Sequence, residues 1–120
     1  LGNQLLRWSS PERPILVDCL TLWLSNLLFS GGQDYPEVGE TDLPAQFDEQ
    51  QDMLAAALIR CTGDVVLVSN EVGLGLTPMG ALSRRFMDEQ GRLNQAMAAI
   101  GERAVFVAAG LPLFLKGGAC

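Results

Sequence analysis

The sequence predicts a doubly wound α/β domain with a mainly parallel sheet and helices on both faces. Three observations carry that expectation: short apolar runs that end in polar loops, helical apolar spacing between them, and an alternating order of the two. Strands separated by helices need crossover connections, and crossovers within one sheet are right-handed, which distributes helices over both faces.

The first strand is Ile15-Leu16-Val17, entered through Pro14 and closed by Asp18, the pattern of a buried parallel strand with an acid at its carboxy end. Leu20 to Phe29 follows as a helix with apolar residues around most of its circumference, so it is expected to be buried on most sides. Its few polar residues include Thr21 and Ser25, which share a face, with Asn26 beside them; together they form a narrow polar seam leading back toward Asp18. Gly31 to Pro44 has no periodicity and is rich in glycine, proline and acids, as in a surface connection.

Phe47, Leu54, Leu58 and Cys61 recur at helical spacing, and so do Leu82, Phe86, Leu93, Met97 and Ile100; both stretches read as amphipathic helices packed on a sheet. Between them Val65 to Val68 forms a second strand after the turn pair Gly63-Asp64, and it ends in Ser69-Asn70-Glu71. Ala104 to Ala108 forms a third, ending at Gly110. Ligands of open α/β sheets sit outside the carboxy ends of the strands, so Asp18, the Ser69 to Gly75 loop and Gly110 are expected to face one crevice.

At 120 residues the chain fits a single domain, and 48% apolar against 18% charged residues favours a folded core over disorder. The formal charge of −6 repels nucleic acid and anionic membrane surfaces, so any phosphate site must be local. The three cysteines are widely spaced without a CxxC pair, and no histidine is present to complete a zinc site, which suits a reducing cytoplasm. The first ten residues lack a signal-peptide pattern, and the longest apolar stretch, Ala104 to Leu115, is broken by Gly110 and Pro112, so neither secretion nor membrane insertion is expected.

Asp18 has two readings: a Walker B type carboxylate that holds Mg²⁺ beside nucleotide phosphates, or a cap on the following helix. The loop Ser69-Asn70-Glu71-Val72-Gly73-Leu74-Gly75 either lets a ligand approach the backbone or makes a tight strand-to-helix turn. Arg84 and Arg85 either reach a phosphate or lie on a solvated face, with Arg84 paired to Asp88. No G-x-x-x-x-G-K-[ST] string occurs, and the single lysine, Lys116, lies beyond the third strand, so these residues contain no cradle for a triphosphate. Without histidine they also offer no His nucleophile.

Four strings taken together resemble one family: Leu16-Val-Asp-Cys-Leu-Thr-Leu-Trp-Leu-Ser-Asn-Leu-Leu28, Val68-Ser-Asn-Glu-Val-Gly-Leu-Gly75, Arg84-Arg-Phe-Met-Asp-Glu-Gln-Gly-Arg-Leu-Asn-Gln95 and Gly110-Leu-Pro112. In unbroken order from about Pro14 to Lys116, the sequence resembles the bifunctional adenosylcobinamide kinase / adenosylcobinamide-phosphate guanylyltransferase family of cobalamin biosynthesis. The resemblance implies a RecA-like P-loop fold and phosphorylation of adenosylcobinamide by ATP or GTP. It further implies transfer of GMP from GTP onto adenosylcobinamide phosphate through a guanylylated histidine.

By that resemblance Asp18 binds nucleotide and Mg²⁺, Asn70 lies beside the nucleotide, and Glu71 is the catalytic candidate that orients water or substrate. Arg84 and Arg85 are nucleotide-binding candidates, and Asp88, Arg92 and Asn94 match the same helix string without an assigned role. The family's P-loop and histidine lie upstream of the matched region, so residues 1–120 are expected to be the carboxy-terminal portion of one P-loop domain, inactive alone, with roughly sixty further residues before Leu1. Loss of the P-loop strand from between the second and third strands would leave a gap in the sheet and an exposed apolar face. The resemblance also implies a cytoplasmic homotrimer. Two other readings stand beside it: a non-catalytic α/β ligand-binding or assembly module, and another RecA-like ATPase.

Overall fold

The computed structural model describes residues 1–30 and 42–119. Along the chain run α1 (Gly2–Trp8), β1 (Ile15–Asp18), α2 (Leu20–Phe29), α3 (Phe47–Arg60), β2 (Val65–Val68), a single 3₁₀ turn (Val72–Leu74), α4 (Ala81–Ile100), β3 (Ala104–Ala108) and β4 (Leu111–Lys116). Most of the Gly31 to Pro44 connection lies outside the described residues.

β1 and β2 pair in parallel, Ile15 opposite Val65 and Asp18 opposite Val68, so both carboxy ends reach the same edge. α2 and α3 form the crossover between them. Their side chains alternate: Ile15, Val17, Val65 and Leu67 are half-buried against the core, whereas Leu16, Asp18, Val66 and Val68 face outward.

The core lies on the helical side. Leu20, Leu24, Leu27 and Leu28 of α2 meet Phe47, Leu54 and Ala57 of α3, Leu93 and Met97 of α4, and Leu5 of α1. Each fully buried leucine contributes about 2 kcal/mol relative to exposure. α1 packs on α3 at short range, and a Cβ at Gly2 would lie 2.5 Å from the Met53 carbonyl oxygen. Only glycine permits that approach. Ser9 Oγ then accepts from the Thr62 amide at 2.8 Å, tying the end of α1 to the segment that enters β2.

Three expectations change. The third strand does not join a single parallel sheet: among the described residues β3 pairs antiparallel with β4 in a separate two-stranded sheet. The cause is local, because Ala109 (φ 52°) and Gly110 (φ 75°) both adopt positive φ and form a two-residue reversal matched to strand twist. That reversal sends Leu111 to Lys116 back along β3.

Among the described residues, helices cover one face of the β1–β2 sheet rather than both. α2 is likewise buried along one side only, with Leu22 and Phe29 exposed. The result is a mixed α/β domain with a small parallel sheet, packed helices and an antiparallel hairpin.

Candidate functional site

Asp18 ends β1 with its side chain exposed, directly across from Val68, after which the chain enters Ser69-Asn70-Glu71. The two strand tips therefore bring the candidate carboxylate and the polar loop together at one edge. Asp18 is not the cap of α2: that role falls to Cys19, whose Sγ accepts from the Leu22 amide at 3.4 Å. Mg²⁺ favours hard oxygen ligands and keeps several waters and phosphate oxygens, so one exposed carboxylate at a strand tip fits it. Among the described residues no three acidic, cysteine or histidine side chains cluster as a larger cage.

The polar seam of α2 meets the loop through Thr21. Its Oγ1 accepts from the Asn70 amide at 3.1 Å and from Asn70 Nδ2 at 3.0 Å, fixing both backbone and side chain of that residue. On the other side, α4 reaches the same loop. Asn94 Nδ2 donates to the Asn70 carbonyl at 3.1 Å and to Glu71 Oε1 at 2.8 Å. Asn94 Oδ1 accepts from Ser69 Oγ at 2.6 Å and from Gln90 Nε2 at 2.9 Å, and Gln90 Nε2 also donates to Ser69 Oγ at 2.9 Å. Ser69, Asn70 and Glu71 are exposed to solvent while being held from two helices.

Beyond Glu71 the backbone makes the 3₁₀ turn, in which Leu74 N donates to the Glu71 carbonyl at 3.1 Å. A Cβ at Gly73 would meet nothing within 4 Å, so internal packing does not demand a glycine there and the space beside the loop is open.

The two arginine candidates are placed differently. Arg84 is exposed and turns back to donate to the Met79 and Pro78 carbonyls, so the expected pair with Asp88 is replaced by backbone contacts at the start of α4. Arg85 Nε lies 3.1 Å from Glu89 Oε1, in an ion-pair contact whose angle is too poor for a hydrogen bond. Arg92 Nη1 contacts the same carboxylate oxygen, so a buried acid is compensated by two partly exposed arginines. Arg85 is thereby drawn into α4's own ion pairs, whereas Arg84 contacts the segment that leads into α4.

Gly110 sits at the tip of the β3–β4 reversal in open space, not in the cluster around Ser69 to Glu71. Lys116 ends β4, and its Nζ donates to the Ala98 and Ala99 carbonyls at 3.0 and 2.9 Å, where a cation suits the helix carboxy end. The lysine acts as a helix cap.

Sequence reasoning missed Gln90 as a site-forming residue. The available signal was the pair Gln90 and Asn94 at i,i+4, two amides on one flank of an otherwise apolar helix face.

The profile of the family described as cobinamide kinase / cobinamide phosphate guanyltransferase matches residues 1–115. The sequence is 48% identical over 105 residues to the bifunctional adenosylcobalamin biosynthesis protein CobP of Pseudomonas aeruginosa, covering 88% of this chain and 54% of that protein. It is 38% identical over 109 residues to the bifunctional adenosylcobalamin biosynthesis protein CobU of Salmonella typhimurium, covering 89% of this chain and 60% of that protein. The Escherichia coli protein of the same name is 37% identical over 109 residues, with 89% and 60% covered. The chain thus spans little more than half the length of these relatives.

Proposed function

Because the chain belongs to the cobinamide kinase / cobinamide phosphate guanyltransferase family, we propose that it forms one wall of a nucleotide site in an enzyme of cobalamin assembly. In the first reaction a hydroxyl oxygen of adenosylcobinamide attacks the γ-phosphorus of ATP or GTP; the bond to the β,γ-bridging oxygen breaks and a nucleoside diphosphate leaves. In the second, GMP passes from GTP to the new phosphate and pyrophosphate leaves.

The observation that carries this reading is the meeting of Asp18 with the Ser69-Asn70-Glu71 loop at adjacent carboxy ends of two parallel strands. Asp18 would hold Mg²⁺, which neutralises charge on the phosphates when bound. Asn70, clamped by Thr21, presents the loop to the nucleotide, and Glu71 aligns the attacking group. Arg84 is the better candidate of the two arginines for a phosphate, since it is exposed and contacts neutral carbonyls, whereas Arg85 is engaged with the Glu89 carboxylate.

No glycine-rich phosphate loop and no histidine occur in these 120 residues. In this reading both come from chain outside them, as in a complete RecA-like P-loop domain of which this is the carboxy-terminal portion. That strand would lie against the uncovered edge and face of the small sheet. We place the whole protein in the cytoplasm as a homo-oligomer, a trimer by resemblance. No helix among the described residues is long and apolar enough to cross a membrane.

The test is steady-state turnover by the protein as its gene encodes it, with adenosylcobinamide, GTP or ATP, and Mg²⁺. Asp18→Asn is expected to lower both activities by about 100-fold or more, in the range set by loss of a group that stabilises transition-state charge, with unchanged circular dichroism. Wild-type turnover in that variant would remove Asp18 from the site, and an inactive parent protein would overturn the reading itself.

A further inference from the structure

Asn94 grips both the backbone and the carboxylate of the 69–71 loop, and its orientation follows from what those partners can accept. The Asn70 carbonyl and the Glu71 carboxylate oxygen can only accept hydrogen bonds, so the amide must turn Nδ2 toward them. Oδ1 then faces Ser69 and Gln90, and Gln90 must present Nε2 to it. Gln90 is fully buried, and in this orientation its Oε1 has no hydrogen-bond partner among the described residues. A desolvated carbonyl oxygen left without a donor is unfavourable. The orphaned oxygen belongs to the same amide whose Nε2 supports Asn94.

We infer that Asn94 is a positioning residue that aims Glu71 at the reacting groups, and that Gln90 holds Asn94 from behind, through its Oδ1, in the direction its two acceptors require. The inference rests on the functional reading above and extends it to two helix residues that need not touch substrate. The network joins α4 to the tip of β2, so the carboxylate of an exposed loop residue is tied to a helix.

Two variants of the gene-encoded protein separate this role from a merely structural one. Asn94→Asp keeps the shape but sets a second carboxyl against Glu71 and the Asn70 carbonyl. Two carboxyls in hydrogen-bond contact hold one proton well above their ordinary range near about 4. The expected result is a kcat about 10-fold or more below the parent near pH 8 that recovers in part as the pH falls toward about 5, because the shared proton restores the bond to Glu71 and not the second one to the Asn70 carbonyl, a direction opposed to simple acid loss. Thermal melts at each pH verify that the fold persists.

Gln90→Met fills the same space and removes the unpartnered oxygen together with the donor to Asn94. Its melting temperature is expected to stay level or rise while kcat falls about 10-fold with little change in KM, whereas a structural role would lower stability and activity together.

Parent turnover with both variants matching its kcat and pH profile would sink the positioning role and leave the functional reading intact. A parent without turnover would defeat the functional reading and this inference with it. Should Gln90→Met not fold, the pH profile of Asn94→Asp decides: a deficit that does not recover toward acid overturns the assignment.

Discussion

Thr21 Oγ1 accepts two hydrogen bonds from a single residue, so one hydroxyl fixes both the φ of Asn70 and the direction of its amide. Replacing it with valine preserves the branched shape and removes the acceptor. Thr21→Val should destabilise the chain by about 1 kcal/mol in denaturant unfolding, the usual contribution of such a bond, and raise amide exchange at Asn70 about 5-fold. Thr21→Ser, which restores the oxygen, should return both measurements to near the parent; a valine variant with unaltered exchange would show that Asn70 is held otherwise. Glu89 illustrates the opposite economy of charge. It is 5% exposed, and Arg85 and Arg92 both contact its Oε1, so the buried carboxylate lies against two cationic side chains of its own helix.

Elements with strong internal patterns were legible from the sequence, and those specified by single residues or by partners were not. α2 is legible over Leu20–Phe29 from the apolar residues that fill most of its circumference in sequence. α4 was foreseen from Leu82 to Ile100 by its periodicity, and β1 and β2 by apolar runs closing on polar residues.

β4 escaped because Pro112 argues against a strand interior, and because Ala109-Gly110 is a weak form of the Asn-Gly reversal signal. α1 escaped because seven residues carry too little pattern; it is held by its contact with α3 through Gly2. The site was legible in part. Asp18 and the loop could be named from their places after strands, whereas the buried glutamine that supports Asn94 leaves only the i,i+4 pairing of two amides as its trace in the sequence. Its burial is decided by the loop folding over it.

The hairpin offers a test at this scale. An alanine at φ 52° carries a steric penalty that asparagine largely avoids. Ala109→Asn should therefore raise stability by about 0.5–1 kcal/mol, read as a shift in the denaturant midpoint without a change in slope. Destabilisation would mean that the reversal is not of the primed type.

At the scale of the molecule, the outward face of the β1–β2 pair is uncovered among the described residues. Leu16 is 66% exposed and Val66 53% exposed on the outward face of the parallel pair, and Val107, Leu113 and Leu115 of the hairpin are also exposed. Apolar surface of this extent favours association. Residues 1–120 expressed by themselves should bind a hydrophobic dye and sediment above monomer mass at micromolar concentration. Leu16→Thr with Val66→Thr should reduce both signals with far-ultraviolet circular dichroism retained. A dye-silent monomer would contradict the exposed face.

α4 is fastened at two places along its length, by Gln90 and Asn94 to the β2 loop and by Lys116 to the carbonyls of Ala98 and Ala99. Each residue of a helix is turned 100° from the last, so sliding the cylinder by a single step would unplug both fastenings at once. The twenty-residue rod is thereby clocked about its own axis, and the compass bearing of Arg84 at its far end is set by the same pins.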